Sequence, residues 1–326
     1  MSDFSDHWLA LRADADSRAR ADQLLTPLCA GWQGPRQVLD LGAGTGANLR
    51  HLAPRLGGEQ HWCCVDHDAH LLACLPARTA VWATQAGHRL SHQGDRLRID
   101  GPNWHCRVQR RRLDLAAGGW SGMGIGPGLN GQEPLAPPQG LAALRLPPGG
   151  LVTASALLDL VSAAWLQTLL GRCHAARCRL LFALTYDGRC RLSPPHPDDA
   201  LVRDLVNQHQ RLDKGLGPAL GPTAVATAAA WCRGLGLQVV VAASDWSLGA
   251  DEPALQQALI SGWCDAARWL APHLTPRLAA WRRLRGRQVR AGMLGIQVGH
   301  QDLIALPAAR PSLNPLPLTD SARTDM

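Results

Sequence analysis

In the stretch VLDLGAGTGANL (38–49), Asp40, Gly42, Gly44 and Gly46 fall at every second position. A glycine turn between a strand and a helix lets the backbone approach a ligand where side chains would clash. Gly42, Gly44 and Ala47 also satisfy the GxGxxG/A spacing of dinucleotide binders, so the glycines alone leave the cofactor open. Asp40 discriminates. A charge one residue before the end of a buried strand is costly unless it meets a partner. A cationic ligand group would supply that partner, and NAD carries no ammonium. Asp66 and Asp114 close the next two apolar segments, so three acids end three consecutive strands. A carboxylate can accept from two hydroxyls at once.

A second set of residues suits an acceptor molecule. Asp159 in SALLD (155–159) could contact a nucleophile or take its proton; the competing assignment is the N-cap or first turn of the next helix. Tyr186 is the only tyrosine and Lys214 the only lysine. Tyr186 could offer its hydroxyl or ring face, or pack half-buried; Asp187 follows it. His209, Arg211 and Lys214 stand at a helix end before a Gly/Pro loop. Arg and Lys together suit a carboxylate or phosphate. Helix capping explains them equally, with Gly215 as the stop. His300 in VGHQD is a base or a core imidazole.

The elements that must position these groups alternate. Residues 6–28 form an amphipathic helix. Strands are expected at QVLDL, HWCCVD, CRVQRRRLDL, LVTAS, RLLFALT (179–185), LQVVVAAS and LGIQVGHQDLIALP, the last kinked at Gly299. RLRID (96–100) pairs with the third strand across GPN. Helices fall between, among them LLDLVSAAWLQTLLGRC, DDALVRDLVNQHQ and PALQQALISGWCDAARWLAPHL. This alternation predicts a doubly wound, mostly parallel α/β sheet, with sites at the carboxyl ends of its strands. Tyr186–Arg189 would then form the loop after the fifth strand. Residues 118–150 read as a flexible Gly/Pro-rich surface insertion, residues 190–222 as an insertion on the acceptor side, and 307–326 as a disordered tail.

Composition narrows the classes. The formal charge of +7 is modest for 326 residues, and arginine richness follows a general bias against lysine. Two basic runs, 107–112 and 281–290, read as solvated faces, so nucleic acid is an unlikely partner. Ten cysteines without a CxxC pair read as reduced thiols. Cys63 and Cys64 should point to opposite faces of a strand. Asp159 sits inside the longest apolar run, 151–171, which argues against a membrane span. His and Cys do not recur at ligand spacings, so no metal is expected. With no signal peptide, a cytoplasmic protein is expected. Nothing in the sequence sets an oligomeric state.

The motif DxGxGxG closely resembles the signature of class I S-adenosylmethionine (SAM) methyltransferases. WLALR, VDHDAHLL, LVTASALLDLVSAAWL, LTYDGR, SPPHPDD, HQRLDKGLGPALGP and VGHQDLIALP together resemble a bacterial subfamily of that class over nearly the whole chain. The resemblance implies a seven-stranded Rossmann-like sheet (31–306) under an N-terminal helical cap (1–30). It implies that Asp40 meets the cationic amino-acid end of SAM, directly or through water, that Asp66 holds the ribose hydroxyls, and that Asp114 receives the adenine amino group. Gly42, Ala43, Gly44, Gly46, His67, Leu115 and Ser155 would complete the cofactor site. Asp159, Tyr186 and His209 would stand beside the methyl group, with Asp187, Arg211, Lys214 and His300 around the acceptor. The expected activity is methyl transfer to O or N of a small, anionic metabolite. The loop (D/N/S)PP(Y/F) of base-modifying enzymes is absent, and no RNA-binding module is appended. The rivals are an RNA or protein methyltransferase and a SAM-binding sensor without transfer activity.

Overall fold

The computed structural model describes residues 5–94, 96–116 and 139–308. The strands are β1 (Arg36–Leu41), β2 (Gly58–Asp66), β3 (Arg89–Gln93), β4 (Arg96–Asp100), β5 (Trp104–Arg112), β6 (Leu151–Ser155), β7 (Arg179–Ser193), β8 (Gln238–Ala243), β9 (Trp246–Leu248) and β10 (Gly295–Leu306). They form one sheet in the order β3-β4-β5-β2-β1-β6-β7-β10-β8, with β9 alongside β10. β5, β2, β1, β6 and β7 run parallel, while β10 is antiparallel to both β7 and β8. The order β5-β2-β1-β6-β7-β8 is the doubly wound 3-2-1-4-5-6, with β10 inserted between the last two. This is the seven-stranded Rossmann-like sheet expected, lengthened at one edge by β3 and β4 and elsewhere by β9. β3 (RLSHQ) is nearly all exposed, so it lacks the apolar alternation that would reveal it. β4 pairs with β5 as expected.

The helices are α1 (Asp6–Ala19), α2 (Leu25–Cys29), α3 (Ala47–Leu56), α4 (Ala69–Gln85), α5 (Ala163–Ala175), α6 (Asp199–Gln210), α7 (Ala224–Gly234), α8 (Pro253–Leu270) and α9 (Thr275–Arg290). One sheet face packs Leu49, Leu52 and Leu75 of α3 and α4 on Trp62, Cys64 and Val108. The other packs α5 and α7 on Leu39, Val152, Leu180 and Phe182. Cys63 and Cys64 do fall in these opposite layers. A third core joins α6, α8 and α9 to Ala15 of α1 and to the ends of β9 and β10. It forms a layer over the carboxyl ends of the strands.

Several expectations are corrected. The helix over 6–28 breaks after Ala19, because the amide of Ala21 is captured by the buried Asp302 carboxylate (3.0 Å). The fifth strand does not stop at residue 185. β7 runs on to Ser193, paired with β10, so Tyr186 and Asp187 lie within a strand and not in a loop. The helix after β6 starts only at Ala163, capped by Ser162. The basic run 281–290 is not a solvated face throughout: Arg285 is fully buried, its guanidinium paired with Asp199 and donating to the Pro194 carbonyl at 2.7 Å. Leu141, Ala143 and Leu144 are buried, so 139–150 is not wholly a surface segment. The remainder of the expected insertion (118–138) and the tail from 309 lie outside the described residues. The kink at Gly299 appears as a register shift between Val298 and His300. Among the described residues no helix is long and apolar enough to cross a membrane.

Candidate functional site

The loop after β1 turns on three glycines in the left-handed region, Gly42 (φ +64°), Gly44 (φ +50°) and Gly46 (φ +84°). The Gly44 amide donates to Asp66 Oδ2 at 2.7 Å, and the Asp68 amide to Asp66 Oδ1 at 2.9 Å. Asp66 thus ties the end of β2 to the loop. At Gly46 a Cβ would stand 2.9 Å from Leu75 Cγ. We expect Gly46→Ala to destabilise the chain by about 2 kcal/mol or more, from strain plus overpacking. Gly87 also has positive φ but faces open space. Gly87→Ala should cost only about 1 kcal/mol; urea unfolding of the two variants compares them, and equal costs would contradict the packing argument.

Against this loop lies a cavity of about 180 Å³. Gly42, Ala43, Gly44, Asp66, His67, Asp114, Leu115 and Ser155 line it. Its apolar surface comes from Leu9, Leu71, Leu157, Leu160 and Leu216. His67 Nδ1 is 3.3 Å from Asp66 Oδ1. Asp114 Oδ1 accepts from the Ala116 amide at 2.9 Å. Gly46 stands behind the wall, where it closes the turn.

Asp40 also stands behind the wall. It is fully buried, and Asn48 Nδ2 donates to its Oδ1 at 2.7 Å. Arg20 donates to Asn48 Oδ1 (2.9 Å) and to Ser155 Oγ (3.0 Å). Asp40 Oδ2 has no hydrogen-bond partner. Burial pushes the Asp40 carboxyl up to about 7, against the opposing pull of Asn48 and Arg20. Asp40 is not among the residues that line the cavity, so of a direct and a water-mediated contact with a cationic ligand group only an indirect one is open to it. Its charge reaches the cavity through Asn48, whose side chain lines it. The residue set fits a nucleoside with a cationic tail: a glycine loop that lines the cavity, carboxylates at and just after the ends of β2 and β5, apolar walls, and a buried acid with an orphaned oxygen.

A second cavity of about 440 Å³ adjoins the first, and Arg12, Ala156, Leu160 and Lys214 line both. Five of the expected acceptor-side residues meet here: Asp159, Tyr186, His209, Lys214 and His300. Asp159 lies in a single 3-10 turn (Leu158–Leu160), so the N-cap alternative is excluded. It is 7% exposed, and its Oδ1 has no partner. Burial raises its carboxyl to about 6, opposed by backbone N–H donors and by Arg12. Ala156 (φ +52°) and Leu184 (φ +53°), both cavity residues, hold left-handed backbone conformations that cost roughly 1–3 kcal/mol each. The Leu184 amide donates to Asp302 Oδ1 at 2.7 Å, which fixes that strained turn.

Tyr186 donates its hydroxyl proton to Asn207 Oδ1 at 2.8 Å, and burial raises its pKa further. His300 Nδ1 is 3.2 Å from the Val298 carbonyl, which can only accept, so Nδ1 carries the proton and Nε2 a lone pair. Burial and the nearby Arg12 lower this imidazole to about 3. Lys214 Nζ points at His209 Nδ1 (3.4 Å) and not at the carbonyls of the last turn of α6, so it is no cap. Burial lowers its pKa.

Asp187 and Arg211 do not join them. Asp187 accepts from Arg189 Nε at 2.7 Å, and Arg189 also pairs with Asp245 at 2.7 Å. This cluster borders a separate cavity of about 510 Å³. The extension of β7 carries Asp187 away from the site. Arg211 lines neither cavity, and its chain packs at Gly221. The sequence reading missed Arg12, whose guanidinium forks onto Asp16 (2.8 and 3.1 Å) and lies 5.0 Å from the Trp246 ring centre. The i,i+4 spacing of Arg12 and Asp16 on α1 was the available signal. Trp8, Asn48, Trp246 and Trp263 were missed as well. Among the described residues no group of His, Cys, Asp and Glu could hold a metal ion.

No family model and no curated protein sequence matches the chain. Among solved structures, the YcgJ protein of Bacillus subtilis is 11% identical; the alignment covers 88% of this chain and 99% of that one, with a TM-score of 0.42. A SAM-dependent methyltransferase from Thiobacillus denitrificans, in complex with S-adenosylhomocysteine, is 13% identical over 94% of this chain and 99% of its own, TM-score 0.37. A SAM-dependent methyltransferase from Geobacter sulfurreducens, with the same ligand, is 13% identical over 91% and 98%, TM-score 0.38. Similarity this distant says nothing about which residues act.

Proposed function

We propose that this chain is a SAM-dependent methyltransferase acting on O or N of a small, anionic molecule. The observation that carries this is the junction of the two cavities. One is shaped by the glycine loop and carboxylates at strand ends; the other holds a buried carboxylate with an unpartnered oxygen. Bound SAM supplies an electrophilic methyl group on a sulfonium. Asp66 holds its ribose hydroxyls and Asp114 its adenine amino group, while Asn48 relays the charge of Asp40; what supports these roles is that Asp66, Asp114 and Asn48 line one cavity. Ala156 and Leu160 form the neck between the cavities. Asp159 holds the nucleophile and takes its proton. α1 covers both cavities through Leu9, Arg12 and Trp8 and keeps water out. Residues 1–30 then act as a cap on a methyltransferase domain of 31–306.

The anionic class rests on Lys214, which lacks a carboxylate partner among the described residues. Lys214→Met should raise the acceptor KM by about 10–100-fold, the worth of a charge-assisted hydrogen bond. SAM affinity by calorimetry should stay within about twofold. Loss of SAM binding in that variant would reassign Lys214 to the cofactor. The activity itself is tested with methyl-labelled SAM and fractionated extract of the host. Label in small molecules supports the proposal; label confined to RNA or protein contradicts it.

A further inference from the structure

The acceptor cavity divides chemically into two parts. Around Asp159 three side chains offer only lone pairs, while the Arg12 guanidinium, tied to Asp16 by a two-point pair, lies close enough to act on Asp159 and His300. Asp159 Oδ1 is buried without a partner. His300 has its proton on Nδ1, facing the Val298 carbonyl, which leaves Nε2 as an acceptor. Tyr186 has given its only hydroxyl proton to Asn207, so its oxygen has only lone pairs to offer. These three groups present no proton to a ligand. The rings of Trp246 and Tyr186 lie 4.9 and 6.1 Å from that of His300, and the Arg12 guanidinium already stands 5.0 Å from the Trp246 ring centre. A hydroxyl brings one donor to such a place and leaves acceptors unpaired, whereas an ammonium brings three.

The other part is cationic: Lys214 meets only the imidazole of His209. Lys214 is thus the uncompensated charge of the cavity among the described residues.

Resting on the methyltransferase proposal, we infer that the acceptor is a zwitterion whose amine is methylated beside Asp159 and His300 while its acid group pairs with Lys214. The ammonium of the acceptor gives one proton to the Asp159 carboxylate. The freed nitrogen pair forms the N–C bond as the methyl–sulfur bond breaks, with that bond's electrons staying on sulfur. The products are an N-methylammonium and a neutral thioether, and the proton on Asp159 passes to solvent.

The test uses the full chain, methyl-labelled SAM and a host small-molecule extract, half of it treated with acetic anhydride to block amines. Labelling should fall at least about tenfold in the blocked half. The labelled product should bind a cation exchanger at acid pH and an anion exchanger at alkaline pH. Equal labelling of the two halves would overturn the amine assignment while leaving methyl transfer intact. A labelled product held by only one exchanger would overturn the zwitterion. No label in the untreated extract would remove the methyltransferase proposal and this inference together.

Discussion

Asp159→Asn should lower kcat by about 10²–10⁴-fold, the usual contribution of a positioned acid or base, while SAM affinity changes less than about twofold. Asparagine keeps the shape of the side chain and loses its basicity. The pH profile gives a second readout. The Asp159 carboxyl titrates at about 6, and only its ionised form can take a proton. Wild-type kcat should therefore rise with pH up to about 6 and level off above it; the residual activity of the variant should lack that limb. Stability should move the opposite way. A carboxyl raised to about 6 binds its proton more tightly in the folded chain than in the unfolded one. It costs nothing below about pH 4, and its penalty grows to a maximum of about 3 kcal/mol above pH 6. The variant should thus be more stable than wild type at pH 8 and little changed at pH 4, as read from urea unfolding. A variant that is both inactive and destabilised at pH 8 would mark Asp159 as structural.

The second large effect is expected at Asp40. Asp40→Ala would leave Asn48 Nδ2 without its carboxylate acceptor and open a void in a fully buried place, which destabilises the fold by itself, so the informative change is Asp40→Asn. The amide introduced there could still accept from Asn48, so the fold is kept and only the charge is lost. SAM affinity should fall about 10–100-fold at pH 7.5, the worth of roughly 1.4–3 kcal/mol. The Asp40 carboxyl titrates at about 7, so it is mostly neutral at pH 6. There the difference between wild type and variant should shrink. Calorimetric titration of SAM at the two pH values checks this. A pH-independent difference would mean that Asp40 acts through packing and not through charge.

The parts of this site legible in sequence are those written locally. Glycines at 42, 44 and 46 encode positive φ, and the turn they force is there. The alternation of apolar segments gave the sheet, since each strand buries its own side chains. Asp66 was found because β2 ends in it, and Asp114 because it follows the end of β5 by two residues. What failed depends on contacts distant in sequence. Trp246 reaches Asp16 across 230 positions, and that contact sets the orientation of Arg12. Asp187 looked free because Arg189 and Asp245 converge on each other only once β7 extends beside β10. For Asp40 the resemblance implied a direct or water-mediated contact; what it did not show is Asn48, from α3, which bonds Asp40, lines the cavity and accepts from Arg20. Lys214, conspicuous only by its rarity, does lie between the two cavities. Arg211, three residues before it, does not.

The most direct test is a crystal structure of the chain grown with S-adenosylhomocysteine. The adenine should lie by Asp114 and Leu115, the ribose on Asp66, and the thioether sulfur at the neck between Ala156 and Leu160, open towards Asp159. A ligand bound elsewhere, or a sulfur facing away from the cavity that holds Asp159, would contradict the two-cavity site.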